Sequence, residues 1–498
     1  MKLIILCALF APLIYLAFKQ KKWYLCLLFA FIGILPEQFS IKLHDSIPLL
    51  TATRILILIA MGFWLYDKWK RKDFRMPKSL ILFLIANLII SIVNLRYGTD
   101  DIKRMFLLIF ERVFLMVMIM DMIQDRKEFY CYIDFAIMGS AVLAIIGIVQ
   151  TVFDYDISSV LHLTETVTSI QLSKRMGLVR AFGTYNAISY GCYCAFMALL
   201  ILYRLYNTKS IWHSIAFALN FVALICTFTR SAWLCLAGVA VIVLLVYRTT
   251  LLRRLLPSGA IALALLVLLC CFQPKLFSAF VETGKSSINT VLGIIPDSII
   301  SLFVPEQTDD PSLDLDDPDD PDSSDLDTLR PGFELNEEFG LNASDPAYSR
   351  NAQWTAVEYM AQEGQLLFGY GYNALLRGRI YFYFDRWAAQ WQPTTFLDVG
   401  LVALIAESGL IGMISLFGLL GYLVVCAFRK IIKQKGEFNF YHLILFVVPL
   451  YLLLNILASF LYASVLWIII GLFYAHKKLE GHEDEKDATA ILPEQTAS

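Results

Sequence analysis

Apolar runs of roughly 17–22 residues recur along almost the whole chain, and this repetition constrains its fold more than any other feature. A helix of that length crosses the hydrocarbon core of a bilayer and satisfies its own backbone hydrogen bonds there. Apolar residues make up 58% of the 498 residues and charged residues 17%, whereas soluble domains contain about 45–50% and about 25%. The sequence therefore predicts an all-α, polytopic bundle of transmembrane helices.

Thirteen apolar runs are candidate spans, and we expect twelve to thirteen spans because several runs are short. They lie near residues 3–18, 23–40, 50–66, 79–95, 105–123, 132–152, 185–203, 212–228, 231–247, 259–272, 402–428, 441–459 and 461–475. The predicted organisation is an N-terminal bundle of about ten spans over 1–272, a large loop over 273–396, C-terminal spans over 397–478 and a tail over 479–498.

Basic residues fall in alternate connections, for example DKWKRKDFRMPK at 67–78, RKIIKQK at 429–435 and HKK at 476–478. By the positive-inside rule, these connections and the C-terminal tail lie in the cytoplasm. The large loop over 273–396 is then expected on the outer side of the membrane.

The large loop has two parts of different composition. Residues 305–346 hold fifteen Asp or Glu residues and a single basic residue, Arg330. Such a segment cannot bury enough apolar surface to fold, so a disordered spacer is expected, with a weak divalent-cation site as the alternative. Residues 349–396 begin with apolar residues at helical spacing, followed by a turn at Gly369–Gly371, so this part is expected to contain helices.

Charge and cysteine usage argue against several other classes of protein. The net charge of −2 gives no indication of nucleic-acid binding. All ten cysteines lie in or beside apolar runs, and no histidine stands near the pairs Cys192/Cys194 and Cys270/Cys271. We interpret these cysteines as packing residues rather than metal ligands, and we predict neither a metal nor a cofactor.

Three arginines and one carboxylate fall on the predicted outer side, and these are Arg180, Arg230, Arg350 and Asp398. A guanidinium fork matches the oxygens of a pyrophosphate, and a nearby carboxylate can take a proton from an attacking hydroxyl. Together they predict a site that transfers a sugar from a lipid diphosphate to a hydroxyl. For any single arginine, the alternative is that it reaches lipid head groups or caps a helix end.

Other charges lie deeper in the predicted spans. Glu111 and Arg112 are adjacent in LLIFERVFLMVM, and Arg54 lies near the start of another span. Charges at such depth usually pair or face a cavity, so an ion pair and a substrate contact are both open interpretations. Glu407 lies nine residues beyond Asp398, which is about 13 Å along a helix, and is expected to face a cavity or a partner.

Four motifs, in order, resemble the bacterial O-antigen ligase and polysaccharide polymerase family. RAFGTYNAISYG at 180–191 resembles its Arg-x-x-Gly segment, and FTRSAWLCLAGVAVIVLL at 228–245 resembles its Ser/Thr-Arg segment. SRNAQWTAVEYMAQEGQLLFGYGYNAL at 349–375 resembles its outer-loop segment, and FLDVGLVALIAESGLIGMISLF at 396–417 resembles the span that follows the loop. The resemblance covers roughly residues 175–425.

The resemblance implies metal-independent glycosyl transfer on the outer face of a bacterial cytoplasmic membrane. The implied donor is a glycan on undecaprenyl pyrophosphate, and the implied acceptor is a sugar hydroxyl on a growing polysaccharide or a lipid. Chain-length regulators or flippases are the expected protein partners. The resemblance implies that Arg180 and Arg230 bind the pyrophosphate and that Arg350 acts in catalysis. Asp398 is the candidate base, and Glu407, Tyr190 and Arg112 are secondary candidates.

The chain departs from the family pattern at Asp398–Val399, where ligases of the family typically carry a His-Asn pair. This departure favours a polymerase over a ligase as the hypothesis. The main alternative from another class is a transporter or flippase, which would show inverted repeats, broken helices near the midplane and a polar path. No internal repeat is visible in the sequence, but the deep charges keep this alternative open.

Overall fold

The computed structural model describes most of the predicted spans and part of the large loop. The described residues are 15–16, 19–31, 34, 40–41, 50–72, 76–98, 100–153, 174–175, 178–183, 187–292, 354, 356–372, 381–384, 390–393, 399–433, 438–457 and 464–491. Nearly all of the first predicted span and the whole acidic insert at 305–346 lie outside these residues.

The described part of the chain consists mainly of helices. The helices are α1 Lys21–Phe31, α2 Ala52–Arg71, α3 Lys78–Asn94, α4 Asp100–Phe106, α5 Leu115–Met122, α6 Arg126–Val152, α7 Ala187–Asn207, α8 Ile211–Cys226, α9 Arg230–Phe272, α10 Lys275–Leu292, α11 Gly400–Lys433, α12 Phe440–Leu457 and α13 Ser464–Ile491. A 3₁₀ turn, Leu95–Tyr97, follows α3, and a π-helical segment, Leu107–Phe114, joins α4 to α5. Residues 356–362 in the large loop are also helical.

Among the described residues, three pairs of antiparallel strands lie in the connections between helices. They are β1 Ser40–Ile41 with β2 Leu50–Thr51, β3 Lys174–Arg175 with β4 Leu178–Val179, and β5 Tyr381–Phe384 with β6 Gln390–Pro393. In the longest pair, Tyr381 lies opposite Pro393 and Phe384 opposite Gln390. These short hairpins leave the fold an all-α membrane bundle, which confirms the predicted fold class.

Most of the described helices overlap predicted apolar runs, but α10 lies in the predicted large loop, and α13 continues beyond the predicted span at 461–475 to Ile491. Six described helices are long and apolar enough to cross a membrane, and α8 and α12 are shorter apolar helices. The total of twelve to thirteen spans stays a prediction.

The centre of the bundle is formed by α7. Its sequence is apolar on all sides, and its residues are buried almost throughout, as expected for a helix surrounded by other helices. Helices α8, α9 and α12 pack against it, α6 packs against α8, α13 packs along α5, and α11 packs between α3 and α12.

The antiparallel packing gives the bundle two distinct ends. At the loop end lie the first residues of α7, α9 and α11, together with the glycine segment, which we define as residues 364–372. At the basic end lie the last turn of α2, with Lys68 and Arg71, and that of α11, with Lys430 and Lys433. The assignment of the basic end to the cytoplasm remains the prediction from the positive-inside rule.

Two long helices are interrupted. Tyr247 has non-helical backbone angles and divides α9 into segments Arg230–Tyr247 and Leu252–Phe272. Gly409, with φ of 64°, divides α11 near the loop end. Because unsatisfied backbone groups are costly in a bilayer, an interrupted helix needs partners from elsewhere in the protein.

Candidate functional site

The side chain of Arg180 is held by the connection between α8 and α9. Its Nε donates to the carbonyl of Thr227 at 2.7 Å, and its Nη2 donates to Oγ1 of Thr229 at 2.9 Å. Arg230, the first residue of α9, follows Thr229 directly. The two predicted pyrophosphate ligands are therefore neighbours at the loop end, and we call Arg180, Thr227, Thr229 and Arg230 the arginine cluster.

The backbone that carries Arg180 is anchored from two sides. The amide of Ala181 donates to the carbonyl of Cys226 at 2.9 Å. Gln150, near the end of α6, accepts from the amide of Gly183 at 2.8 Å and donates to its carbonyl at 2.9 Å. A left-handed φ of 56° at Gly183 makes this arrangement possible.

The side chain of Tyr190 packs inside the bundle, next to the segment that carries Arg180, and does not face an opening. Its ring is fully buried, and its hydroxyl donates to the carbonyl of Leu143 at 2.9 Å. A Cβ at Gly147 or Gly183 would meet the Tyr190 ring at 2.8 Å and 3.1 Å respectively. The structure thus places this secondary candidate in the packing beneath Arg180.

The turn before α9 is strained and leaves the start of the helix oriented towards the loop end. Phe228 has a left-handed φ of 50°, an uncommon state for a bulky side chain, and its ring is buried against Phe280 at 5.5 Å. Oγ1 of Thr229 donates to the carbonyl of Ala187 at 3.1 Å, and the Thr229 side chain makes no cap bond to the described first turn of α9. Helix amides and two arginines therefore create positive potential at one point.

An apolar cavity of about 470 Å³ lies beside the first half of α9. Its wall includes Leu199 of α7, Phe221 of α8, and Trp233 and Ala240 of α9. Trp233, three residues after Arg230, donates its Nε1 to the carbonyl of Leu224 at 2.9 Å, which fixes its ring at the cavity wall. The cavity therefore begins within one helical turn of the arginine cluster.

The second polar region surrounds the interruption of α11. The carbonyl of Ala406 accepts from the amide of Tyr370 at 2.9 Å, and the amides of Leu410 and Ile411 donate to the carbonyls of Leu366 and Leu367 at 2.9 Å and 3.2 Å. The glycine segment thus supplies the hydrogen bonds that the interrupted helix cannot make for itself.

Arg104 of α4 supplies the remaining partner at the interruption. Its Nη1 donates to the carbonyl of Glu407 at 2.9 Å, and its Nη2 lies 3.5 Å from Oδ1 of Asn87. The buried guanidinium of Arg104 thereby takes the place of the helical amide that would otherwise donate to the Glu407 carbonyl. Glu407 itself is buried, with 7% of its surface exposed.

Deep charges gather beside this interruption. Arg54 and Glu111 form an ion pair, which confirms one of the two interpretations of these residues. The guanidinium of Arg112 lies 5.3 Å from the centre of the Trp467 ring. Glu111 and Arg112 both belong to the π-helical segment, a geometry frequent at functional sites.

The hydroxyl of Tyr372, at the end of the glycine segment, lies close enough to these charges to be affected by them. Burial raises the pKa of its hydroxyl to about 12, the Glu407 carboxylate adds to this increase, and Arg112 and Arg54 oppose it. Its amide lies 3.3 Å from a carboxylate oxygen of Asp101. We call Arg54, Glu111, Arg112, Tyr372 and Glu407 the charge cluster.

Several residues of this region were not predicted from the sequence. Asp101 and Arg104 precede the predicted span at 105–123 and were not among the candidates. The glycines gave a signal, because Gly369, Gly371 and Gly409 all have left-handed φ angles of 64–89°. These glycines lie on either side of the predicted junction between the large loop and the span that follows it. This pattern could have indicated that the two segments dock together.

Two candidates, Arg350 and Asp398, lie outside the described residues. Their described neighbours are close in space, because Ala356 and Met360 pack in one apolar cluster with Val399 and Val402. The structure therefore brings together Arg180 with Arg230 and places both Arg112 and Glu407 near Tyr372, while the predicted catalytic pair stays untested.

Residues 215–417 match the family model described as O-antigen ligase. This segment is an O-antigen ligase domain. It confirms the resemblance to the O-antigen ligase and polymerase family, and it supports a membrane enzyme of that general type. The matched residues include Arg230, Glu407 and Gly409, whereas Arg180 and the charges of α2 and the π-helical segment precede them.

No curated protein and no solved structure matches the chain significantly. Inferences about substrate and residue roles therefore depend on the O-antigen ligase domain and on the contacts described above.

Proposed function

We propose that the chain is a membrane glycosyltransferase that moves a glycan from undecaprenyl pyrophosphate to a sugar hydroxyl on the outer face of a bacterial cytoplasmic membrane. The arrangement of Arg180 and Arg230 at the start of α9 is the observation that carries the proposal. The product would be a surface polysaccharide chain that is lengthened by one transfer in each catalytic cycle.

The arginine cluster suits the pyrophosphate of the donor. The two bonds from Arg180 to Thr227 and Thr229 fix its guanidinium before the substrate arrives. Preorganised donors stabilise developing charge effectively because they need no reorganisation during the reaction. As the glycosidic bond to phosphate breaks, the electron pair goes to the pyrophosphate oxygen, whose negative charge these groups would stabilise.

The apolar cavity suits the polyprenyl chain of the donor. It has few polar groups in its wall, and it begins within one turn of Arg230. A lipid diphosphate requires this combination, since its head is strongly anionic and its tail must stay away from water. The positions of the cavity and of the arginine cluster thus support one ligand that spans both.

The acceptor hydroxyl must lose a proton as it attacks the sugar. Asp398 remains the proposed base, and Arg350 the proposed loop arginine. The change from a His-Asn pair to Asp398–Val399 supports a polymerase over a ligase that attaches glycan to a lipid or wall acceptor. Glu407 of the interrupted helix and Arg112 of the π-helical segment are proposed to line the path of the acceptor.

A transporter or flippase of lipid-linked glycans is the second candidate function. The interruption of α11 at Gly409 favours it, because transporters commonly bind substrates at broken helices. The glycine segment fills this interruption with three hydrogen bonds, and Arg104 of α4 adds a fourth, which supports a static docking of the loop more than a moving gate.

Arg180→Ala and Arg230→Ala test the transferase in cells that depend on the chain for their polysaccharide. We expect short surface chains and accumulation of lipid-linked repeat units on the outer face, with Lys275→Ala, an exposed cation at the same end, behaving as wild type. Normal long chains in both arginine variants, with the proteins inserted and stable, would overturn the pyrophosphate role.

A reconstituted assay separates the two functions. Purified protein in detergent, with no membrane to cross, should still join lipid-linked repeat units if it is a transferase. A flippase would give no longer product under these conditions. Asp398→Asn in the same assay tests the base, because unchanged turnover across pH would exclude that role.

A further inference from the structure

The basic end carries a cavity that the proposed transfer reaction does not use. Its volume is about 750 Å³, and it lies between the last turn of α7, the start of α8 and the second half of α9. The basic side chains of Lys209, Arg253 and Arg254 line it, and the hydroxyls of Ser210 and Ser214 lie between them. Its lining contains no carboxylate from the described residues, so the cavity is strongly cationic.

The geometry of these groups suits an anion that sits beside a membrane. Arg254 donates from Nη1 to the carbonyls of Leu205 and Tyr206, which anchors α9 to the end of α7. Arg253 and Lys209 are exposed and can reach a phosphate group placed in the opening. Ser210 precedes the first turn of α8 and makes no side-chain cap bond to the described residues of that turn.

An apolar groove lies next to this cavity, since Pro257 in the wall of the cavity is followed by Ser258 in the wall of the groove. The groove shares Phe217, Phe221, Leu255 and Leu266 with the apolar cavity beside the first half of α9. This groove has a volume of about 310 Å³ and lies between α8, with Phe217 and Phe221, and α9, with Leu255, Ala262 and Leu266. A free phosphate or a soluble nucleotide would leave this groove unfilled, whereas an acyl chain would fill it.

Ser258 lies where the two regions meet. Its side chain is fully buried in the wall of the groove, and its Oγ has no hydrogen-bond partner within the part of the chain that the structure describes. Buried hydroxyls in folded proteins are rarely left in this state. Ser258 is one helical turn beyond Arg254, about 6 Å along the axis, which is the depth of the ester oxygens below the phosphate of a glycerophospholipid.

We propose that this cavity and groove bind one anionic glycerophospholipid, with its phosphate at Lys209 and Arg253, an ester oxygen at Ser258 and an acyl chain between α8 and α9. Basic pockets between helices at the cytoplasmic side of a membrane protein recognise lipid head groups in this manner. The lipid would brace the second half of α9 against α8, across the interruption at Tyr247. The cationic cavity lies at the opposite end of the bundle from the arginine cluster, and the groove shares one wall with the apolar cavity beside the first half of α9.

The test uses the full-length protein in detergent and native mass spectrometry, with phosphatidylglycerol as the probe and phosphatidylcholine as the uncharged comparison. We expect one phosphatidylglycerol bound in preference to phosphatidylcholine. Each of Lys209→Gln and Arg253→Gln should weaken it about fivefold. Lys433→Gln, an exposed lysine at the same end, is the matched control and should bind as wild type.

Ser258→Phe provides a second variant that leaves the cations intact and fills the groove. It should abolish the preferential binding, while Gly238→Phe, placed where a side chain meets no atom within 4 Å, should not. Equal binding of the two lipids would overturn the proposal, as would equal effects of the site variants and Lys433→Gln. Displacement of the lipid by inorganic phosphate, or a preference for a polyprenyl phosphate, would overturn the assigned occupant.

Discussion

The amide of Tyr370 donates a 2.9 Å hydrogen bond to the carbonyl of Ala406, three residues before the interruption of α11. A continuous helix would use this carbonyl for the amide of Leu410, which instead donates to Leu366. The loop and the membrane helix therefore share one hydrogen-bond network. Because the bilayer offers no substitute partners, the position of the glycine segment and the shape of α11 must change together.

Gly369→Ala tests this shared network. Gly369 has a φ of 71°, and a Cβ there would meet the Ala406 carbonyl oxygen at 2.8 Å. We expect the apparent unfolding temperature to fall and the loop to become sensitive to protease at the 364–372 segment. Gly364→Ala is the matched control, because its φ of 67° carries the same backbone cost of about 1–2 kcal/mol but no atom lies within 4 Å. Equal effects of the two variants would show that the contact with Ala406 is unimportant.

The ion pair between Arg54 and Glu111 gives a second prediction. Both side chains are about a quarter exposed, at 24% and 22%, so removal of one partner leaves a charge in a poorly solvated place. We expect Arg54→Gln or Glu111→Gln alone to lower the free energy of unfolding by up to ~3 kcal/mol, and the double variant to lower it by less than the sum. A double-mutant cycle on thermal or denaturant unfolding measures the coupling. Additive effects would contradict a direct pair.

The fold could be predicted from the sequence because apolar runs of bilayer length have one stable solution, a helix. Helix α2, for example, begins at Ala52 within the run predicted at 50–66. The site could be predicted only in part. Arg180 and Arg230 were recognised as candidates because each lies just before or at the start of a predicted span on the predicted outer side.

The contacts at the interruption of α11 were harder to predict because they join distant parts of the chain. Arg104 reaches Glu407 across 303 positions, and its sequence context, DDIKRMF, resembles an ordinary polar connection. The hydropathy of neighbouring residues indicates how deep a residue lies in the membrane, but it does not indicate which distant residue it contacts. The interruption at Gly409 was also hidden, since a single glycine within an apolar run is common in spans.

A pH prediction follows from the contacts of Glu480 at the basic end, beyond the predicted span at 461–475. Burial alone would raise the pKa of Glu480, but His476 at 3.3 Å, the Tyr441 hydroxyl at 2.7 Å and Lys430 at 3.2 Å lower it to about 2. The ordinary value is 4.5, so the carboxylate stabilises the fold above about pH 4.5, and this contribution is lost as the pH falls towards 2.

Glu480→Gln should therefore lower the free energy of unfolding by on the order of 3 kcal/mol at pH 7, and the difference from wild type should shrink below pH 4.5. Thermal unfolding in detergent at pH 7, 5 and 3 measures it. Glu358→Gln, at an exposed position in the loop helix, is the control and should have little effect at any of these pH values. A pH-independent loss in Glu480→Gln would indicate lost packing rather than a lost ionised contact.

The apolar cavity beside α9 gives a prediction about the donor lipid. Ala240→Phe would place a large ring inside the cavity that we assign to the polyprenyl chain. Displacing a tightly packed chain costs about 1–3 kcal/mol, so KM for the lipid-linked donor should rise by about tenfold, while kcat at saturation changes little. Val241→Phe is the matched control, because this neighbouring residue is 56% exposed on the outer surface of the same helix. Equal KM values in both variants and wild type would place the polyprenyl chain outside this cavity and leave the arginine cluster as a site for the head group alone.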